Sequence, residues 1–277
     1  GMPGKLYPQA AAKFMEGYFN TANVYYKDWM LIPTARSVAA IVTVMNEKDT
    51  VPSVLEQLQR LPLHEMIFIV NGSTDESFEI IRNQSQATIV HYHAPLGHDV
   101  GRAIGAKLAE SEILLFLDGD FPVFAEHLVP FLGAIEQGMD IALNNISPYI
   151  GLFAGRDPVT VVKEFLNRSM AKSELRSNSL TAIPHAMTKR AAEMIGYSNL
   201  TVPPKAQVIA IEKGLKIGAA ANVDVISRNR VRMRNVGRSN PVSNLILGDH
   251  VEAFRSALDL RGSRLSFPDR VRRRQFT

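Results

Sequence analysis

The sequence predicts an α/β protein in which helices flank a mostly parallel central sheet. Short apolar runs rich in Val, Ile and Leu alternate, along the first half of the chain, with segments whose apolar residues recur at helical spacing. This alternation is typical of right-handed βαβ units, which place consecutive strands parallel to one another. Polar residues follow several of the runs directly, at the strand ends where open α/β sheets bind ligands. We therefore expect functional residues along one edge of this sheet.

The composition is that of an ordinary globular protein. The chain has 277 residues, of which 46% are hydrophobic and 21% charged, and its formal net charge is +4. No apolar run approaches the roughly 18 residues that a membrane-spanning helix needs, and the start of the chain does not resemble a signal peptide. The absence of cysteine excludes disulfides, thiolate metal sites and a cysteine nucleophile. We expect a cytoplasmic protein with at most a peripheral membrane association.

The elements of the first half follow from periodicity and from turn residues. Residues 1–36 are helix-prone and rich in aromatic side chains, which predicts a helical cap on the main domain. Apolar, β-branched runs predict strands over 37–45, 66–70, 88–91 and 113–117. Helices are predicted from Asp49, from Ser73 or Thr74, whose hydroxyls suit an N-cap, and over 99–111. These helices join the predicted strands as crossover connections.

After residue 120 the alternation becomes less regular. Helices are predicted over 124–137, 159–173, 187–195, 205–213 and 245–260, and strands over 139–144 and 216–226. No flexible linker interrupts residues 37–261, so we expect them to form one domain, followed by a basic tail over 262–277.

The most informative motif is the end of the apolar run 113–117, which stops abruptly at Asp118-Gly119-Asp120. Because only a glycine separates the two carboxylates, both can turn toward one hard cation. Mg²⁺ and Mn²⁺ prefer a few carboxylate oxygens together with substrate phosphates. Asp-Gly is also a common turn dipeptide, so the motif by itself leaves an ordinary strand exit as an alternative.

Two further polar segments follow predicted strands. Asn46-Glu47 follows the first strand, and the segment from Asn71 to Asp75 follows the second. In a parallel sheet these segments and the Asp-Gly-Asp turn lie at the same edge. One such turn arises easily by chance, whereas three aligned at one edge indicate a ligand site.

Four segments, taken in order, resemble the nucleotide-sugar-binding half of family 2 glycosyltransferases, which have the GT-A fold. The matching segments are 41–47, 69–75, 101–109 and 115–120. The resemblance implies a GT-A domain, transfer from a UDP- or GDP-sugar, and Mn²⁺ or Mg²⁺ as cofactor. It further implies that residues 37–123 form the nucleotide-sugar half and that residues 124–261 form the acceptor half.

The resemblance also implies roles for single residues. Asp118 meets the ribose or the metal, and Asp120 binds the metal that bridges the two phosphates; both count as catalytic. The residues expected to border the nucleotide-sugar are Asn46, Glu47, Asn71, Ser73, Asp75, His98, Arg102 and Asp118. Relatives more often carry Asp at the position of Asn71, so this contact loses a charge. For Arg102, a solvated position on a helix is an equal alternative.

The acceptor half departs from the pattern of inverting relatives, which carry a Glu-Asp pair before the last helix of the domain. The equivalent stretch, 200–207, contains no acid. We favour a retaining enzyme, similar to glucosyl-3-phosphoglycerate synthase, in which the leaving phosphate can take the acceptor proton. The alternative is that Asp249 or Glu174 is the base. His185 lies in the segment that lines the acceptor pocket of relatives and is a candidate catalytic residue, and His250 is the candidate third metal ligand.

Two arginine-rich segments bear on partners. Residues 228–238 hold five arginines and residues 270–274 hold four; the first suits a phosphorylated acceptor or a diphosphate, and the second reads as a solvated tail. No nucleic-acid-binding module accompanies them, and a homodimer is the expected assembly.

The rival functions are a nucleotide-sugar-binding protein without transferase activity and a sugar-phosphate nucleotidyltransferase. The glycines at 97, 101 and 105 lack the spacing of a dinucleotide-binding loop.

Overall fold

The computed structural model of the protein describes residues 6–22, 28–226 and 241–269. The strands are β1 (Val38–Val44), β2 (Glu65–Asn71), β3 (Thr88–Tyr92), β4 (Ile113–Asp118), β5 (Ile141–Asn144), β6 (His185–Thr188) and β7 (Ile217–Ala221). The helices are α1 (Leu6–Ala22), α2 (Val51–Gln59), α3 (Ser77–Gln84), α4 (Val100–Leu108), α5 (Ala125–Glu136), α6 (Pro158–Ser169), α7 (Lys189–Ile195), α8 (Pro203–Glu212) and α9 (Pro241–Arg261). Both arginine-rich segments, 228–238 and 270–274, lie outside the described residues.

The strands form one seven-stranded sheet in the order β3-β2-β1-β4-β6-β5-β7. The first four are parallel, whereas β6 runs antiparallel to β4 and β5. β1 and β4 are buried almost throughout, as their unbroken apolar runs predict for strands covered on both faces. The predicted α/β architecture is therefore confirmed, and the carboxyl ends of β1, β2 and β4 lie side by side at one edge.

Helix α4 packs very close to the sheet because two glycines face it. A Cβ at Gly101 would lie 2.7 Å from Thr43 Cγ2, and one at Gly105 would lie 2.3 Å from Ile41 Cγ2. Real side chains do not approach so closely, so the helix can sit here only without them. The glycine series that superficially suggests a dinucleotide loop thus serves helix–sheet packing, and it brings the start of α4 down onto the edge of β1.

The structure differs from the predicted elements in several places, of which two bear on the site. His185–Thr188 is a strand rather than the approach to a helix, and α7 begins only at Lys189, where the Thr188 hydroxyl caps it by accepting the Ala191 N–H at 3.0 Å. Helix α3 begins at Ser77, later than the predicted caps at Ser73 or Thr74. Those two side chains bind the loop after β1 instead.

The core extends from the sheet to both ends of the chain. The main cluster of buried apolar residues includes Ala11 of α1, and a second, smaller cluster joins α6, α8 and α9 through residues such as Leu166, Val208 and Ala253. None of the helices in the described ranges has the length and apolar character that crossing a bilayer requires. Helix α9 packs against α6 and α8 through the apolar contacts of this second cluster.

Candidate active site

The Asp-Gly-Asp turn is fixed from several sides. Gly119 donates its N–H to the Thr43 carbonyl at 2.8 Å, and its own carbonyl accepts the Thr50 hydroxyl at 2.6 Å. A side chain at Gly119 would place its Cβ 2.9 Å from a methyl carbon of Val44. The Asp118 carboxylate accepts the Thr43 hydroxyl at 2.7 Å. The turn is thus held rigidly, and Asp118 keeps part of its carboxylate exposed at the edge of the sheet.

The loops after β1 and β2 are joined by hydrogen bonds. Asn46 donates its N–H to the Ser73 hydroxyl at 3.0 Å, and its side-chain oxygen accepts the Thr74 N–H at 2.8 Å. Asn46 adopts a φ of +57°, a conformation that Asn tolerates better than most residues. The structure therefore brings these two predicted nucleotide-binding loops together, with Asn46 and Ser73 as the connection.

Asp75 and Glu47 lie in the same pair of loops. Asp75 accepts the Lys48 N–H at 3.1 Å, and the Ser77 N–H at 3.0 Å. Burial alone would raise the pKa of Asp75, but these hydrogen bonds and the nearby Lys48 charge hold the pKa below its usual value. Glu47 donates its backbone N–H to the Ser77 hydroxyl at 2.9 Å. Asp75 is therefore an anion at neutral pH, and it fixes the backbone that carries Glu47.

Asn71 holds the loop between β3 and α4. Its amide nitrogen donates to the Gly97 carbonyl at 2.9 Å, and its amide oxygen accepts the Leu96 N–H at 2.8 Å. A carboxylate could not make the first bond, so the amide of Asn71 suits this position. His98, the next residue of the loop, is half-exposed, with its Nε2 4.0 Å from Asp99 Oδ2. Asn71 thus positions His98 beside the predicted nucleotide edge.

Arg102 is buried, with 5% of its surface exposed, which excludes the alternative of a solvated helix residue. Its guanidinium lies 2.9 Å from Asp99 Oδ1 and 3.7 Å from Asp118 Oδ2. It also donates to the Leu180 carbonyl at 3.2 Å. Arg102 therefore links the metal-type turn, the start of α4 and the segment before β6. Because these contacts occupy its guanidinium, Arg102 is less available to bind a nucleotide than the sequence predicts.

His185 lies inside the sheet, where 2% of its surface is exposed. Its ring stacks on Phe116 at a centroid distance of 4.9 Å, and its Nδ1 lies 3.2 Å from the Ala182 carbonyl. Burial, reinforced by the charge of Arg102, lowers the pKa of His185 to about 3. A neutral, inaccessible imidazole does not suit the predicted catalytic role, so we correct that assignment to a structural one.

His250 and Asp249 lie on α9. His250 is fully buried, and its Nδ1 lies 2.7 Å from the Ile246 carbonyl; burial lowers its pKa to about 4. Burial, together with the charges of Asp99 and Glu252, raises the pKa of Asp249 to about 6, against the opposing influence of His98. The structure thus brings Asp249 near the start of α4.

The residues that could hold a divalent cation are Asp118 and Asp120. Carboxylate oxygens suit Mg²⁺ and Mn²⁺, and the fixed turn presents them at the sheet edge. Within the described residues no three carboxylate or imidazole side chains are grouped as a ready-made metal site, so His250 is not brought together with the two aspartates. The donor set fits a cation that completes its coordination with water and diphosphate oxygens, as Mg²⁺ commonly does.

A network of buried amides that sequence reasoning missed joins α6, α8 and the segment before β6. Gln207 of α8 accepts the Leu180 N–H at 2.9 Å and donates to Asn167 at 2.6 Å. Asn167 of α6 donates to the carbonyls of Arg176 and Asn178 at 2.8 and 3.0 Å. These side chains hold residues 176–184, here called the pre-β6 segment. The stretch 200–207, which contains no acid, thus provides a neutral amide to this network.

Glu174, the other acid considered as a base, lies at the surface. Its side chain is 62% exposed, and its carboxylate is 3.5 Å from Lys172. A base in this position would be freely hydrated and paired with a lysine, so we do not place Glu174 in the site.

The fold and the site together define a nucleotide-sugar-dependent glycosyltransferase of the GT-A type. The model of the family described as glycosyl transferase family 2 matches residues 39–192, and the chain belongs to this family. The match covers β1 to β4, both predicted nucleotide loops and the Asp-Gly-Asp turn. The predicted resemblance to family 2 glycosyltransferases and the predicted enzyme class are therefore confirmed. No curated protein matches the sequence significantly.

Solved structures of one enzyme share the fold. Glucosyl-3-phosphoglycerate synthase from Mycobacterium tuberculosis with Mn²⁺, UDP and glucosyl-3-phosphoglycerate is 16% identical, with 85% of this chain and 82% of that chain covered at a TM-score of 0.55. The same enzyme with Mg²⁺ and UDP is 14% identical over 85% and 82%, at 0.55. Its complex with Mn²⁺, UDP-glucose and glycerol 3-phosphate is 16% identical over 85% and 82%, at 0.53. At these identities the likeness establishes the fold.

Proposed function

We propose that this glycosyltransferase uses a UDP-sugar and a divalent metal, and transfers the sugar with retention to a small phosphorylated acceptor. The observation that carries this proposal is the Asp118-Gly119-Asp120 turn, fixed at one sheet edge beside the two joined loops after β1 and β2. The similar enzyme binds UDP and Mn²⁺ or Mg²⁺, which supports the donor and the cofactor. A GDP-sugar, a homodimer and a membrane contact have no comparable support.

In the proposed mechanism the chain's own residues fix the donor. Asp118, oriented by Thr43, and Asp120 would hold the cation, which would supply positive charge to stabilise the negative charge that the leaving diphosphate gains. The loop that Asn71 fixes and the loops that carry Asp75 and Glu47 would border the nucleoside. Rigid placement of these groups matters because electrostatic stabilisation is effective only where the groups are already oriented.

In a retaining transfer the acceptor attacks the face of the sugar from which the phosphate departs, so the acceptor hydroxyl lies beside the departing phosphate oxygen. The bond between the anomeric carbon and the phosphate oxygen breaks, and the acceptor oxygen bonds to the same face of the sugar. The acceptor hydroxyl gives its proton to the departing phosphate oxygen, so no protein base is needed. This route fits the buried Gln207 in the stretch where a base is otherwise placed. Asp249 is a second candidate base, because its pKa of about 6 suits proton acceptance near neutral pH.

The donor test is calorimetry of UDP, GDP and dTDP and of their glucose conjugates, with and without Mn²⁺. We expect UDP ligands to bind in the presence of Mn²⁺, and Asp120→Asn to abolish the metal-dependent part of the affinity. Glu174→Gln, which removes an exposed carboxylate, is the matched control and should bind like the wild type. A flat panel, or Mn²⁺-dependent affinity that survives in Asp120→Asn, would contradict the donor proposal.

Turnover and stereochemistry are tested with UDP-glucose and glycerol 3-phosphate. NMR of the product should show the anomeric configuration of the donor, and Asp249→Asn should retain turnover if the phosphate is the base. A product of inverted configuration would refute retention, and loss of turnover in Asp249→Asn with intact donor binding would favour Asp249. Binding of UDP-glucose without transfer or hydrolysis would instead support the rival function of a nucleotide-sugar-binding protein.

A further inference from the structure

Lys163 occupies the inward face of α6. Positions 160, 163 and 167 are three and four residues apart, so their side chains lie on the same side of the helix. Thr160 and Asn167 are 8% and 1% exposed, and Asn167 donates to two carbonyls of the pre-β6 segment. Partly buried Lys163 therefore lies one helical turn from the residue that holds this segment.

Within the described part of the chain, the Lys163 ammonium has no partner of its own. Across residues 6–22, 28–226 and 241–269 it makes neither a hydrogen bond nor an ion pair. This contrasts with partly buried Lys189, which donates to the carbonyls of Ala106 and Ala109. Burial lowers the pKa of Lys163 to about 8, because desolvation disfavours the charged form. The lysine is still mostly protonated at neutral pH, and a bound anion would stabilise its charged form.

The charged groups that face Lys163 come from three elements, and the carboxylates among them are already bound. Asp157, at the start of α6, accepts the Thr160 N–H at 2.9 Å and its hydroxyl at 2.7 Å. Asp99, at the start of α4, is paired with Arg102. The two other groups are Arg102 itself, which is cationic, and His250 on α9, which is neutral. Neither carboxylate approaches Lys163 closely enough to neutralise it.

This arrangement places a partnerless cation on the acceptor side of the site. Arg102 connects Asp118 of the metal-type turn to the Leu180 carbonyl of the pre-β6 segment, and Lys163 lies within electrostatic range of Arg102. An anion bound by Lys163 would therefore lie in the neighbourhood of Arg102, whose guanidinium is 3.7 Å from Asp118 of that turn. We propose that Lys163 binds the phosphate group of the acceptor and so selects phosphorylated acceptors, an inference that rests on the proposed transferase function.

The test is calorimetry of glycerol 3-phosphate, inorganic phosphate and uncharged glycerol binding to the full chain, with and without UDP and Mn²⁺. Wild-type protein should bind both anions and not glycerol. Lys163→Met should weaken glycerol 3-phosphate binding about 10- to 100-fold, the usual range for loss of a charge-assisted hydrogen bond. Lys163→Arg, which keeps the charge, should retain most of the affinity. The affinity for UDP with Mn²⁺ should be the same in all three proteins.

Lys172→Met is the matched control, because Lys172 is a nearby lysine already paired with Glu174 at 3.5 Å; its phosphate affinity should equal that of the wild type. Thermal unfolding is a second readout. Removing an unpaired, partly buried charge should leave the midpoint of Lys163→Met equal to that of the wild type or higher, whereas a purely structural lysine would lower it.

Two results would overturn the inference. One is undiminished glycerol 3-phosphate affinity in Lys163→Met, and the other is a wild type that binds UDP with Mn²⁺ but neither anion. A wild type that binds the anions through Lys163 but never binds UDP would contradict the proposed function and leave the anion site standing. The two proposals therefore fail in distinguishable ways.

Discussion

Replacing Arg102 tests whether the two halves of the site are joined by one buried cation. The guanidinium bonds Asp99 at 2.9 Å and the Leu180 carbonyl at 3.2 Å, and lies 3.7 Å from Asp118. The Arg102 and Asp99 side chains are only 6% and 7% exposed. Arg102→Met keeps most of the apolar volume of the side chain but removes the charge and every donor. Asp99 is then left as an anion without its partner.

The size of the effect follows from this burial. Removing one partner of a buried ion pair costs about 3–5 kcal/mol, because the remaining charge stays desolvated. We take the lower end, about 3 kcal/mol, since Asp118 is partly hydrated and keeps its bond from Thr43. For a chain of this size each kcal/mol shifts the unfolding midpoint by about 2–4 °C. We therefore expect Arg102→Met to lower the midpoint by roughly 6–12 °C.

Urea unfolding of a double-mutant cycle with Asp99→Asn measures this pairing directly. If the two side chains act as a pair, Arg102→Met combined with Asp99→Asn should be less destabilised than the sum of the single variants, by at least about 1.5 kcal/mol. The same Arg102 charge helps to lower the pKa of Lys163, so the single variant should also raise that pKa. A loss below about 0.5 kcal/mol in Arg102→Met, or additive single effects, would refute the reasoning.

Three further predictions concern single side chains. Asn71→Asp loses its 2.9 Å bond to a backbone carbonyl and should cost about 1 kcal/mol in urea unfolding and weaken UDP binding; unchanged UDP affinity would contradict its placement. Gly105→Ala would put a Cβ 2.3 Å from a β1 methyl carbon and should destabilise by about 1–3 kcal/mol, whereas Gly248→Ala, with open space on α9, should stabilise by about 0.5–1 kcal/mol. Because the pKa of Lys163 lies at about 8 instead of its ordinary 10.5, glycerol 3-phosphate affinity should fall about tenfold per pH unit above 8, and Lys163→Arg should abolish that fall.

The nucleotide half could be predicted from sequence because its elements are regular and its polar residues are local. Strands β1, β2 and β4 are continuous apolar runs, and each ends directly at the residues that form the site. Parallel pairing then places those ends together without any knowledge of side-chain contacts. The Asp-Gly-Asp turn could be predicted for the same reason, because it directly follows one of these runs. The structure adds that its glycine is required by the close approach of Val44.

The acceptor half could not be predicted in the same way, because its decisive contacts join residues far apart in sequence. β6 has only four residues, too few to show an alternating pattern, and its last two fall within the helix that the sequence predicts over 187–195. Arg102 binds the Leu180 carbonyl and Gln207 binds Asn167; neither pairing leaves a periodic signal. Nothing in the sequence indicates that Lys163 is unpaired, because its surroundings form only when α4, α6 and α9 pack together.

Gln207 ties the architecture of the acceptor half to the stereochemistry proposed for the reaction. Its amide is 1% exposed and uses both ends, accepting from the Leu180 N–H and donating to Asn167. A glutamate there would lose the donor and bury a charge beside an amide oxygen, which is strongly unfavourable. The pre-β6 segment is therefore built around a neutral group at this place, so a carboxylate base could not occupy it without rebuilding the network. Proton transfer to the departing phosphate needs no such base and is compatible with the network as it stands.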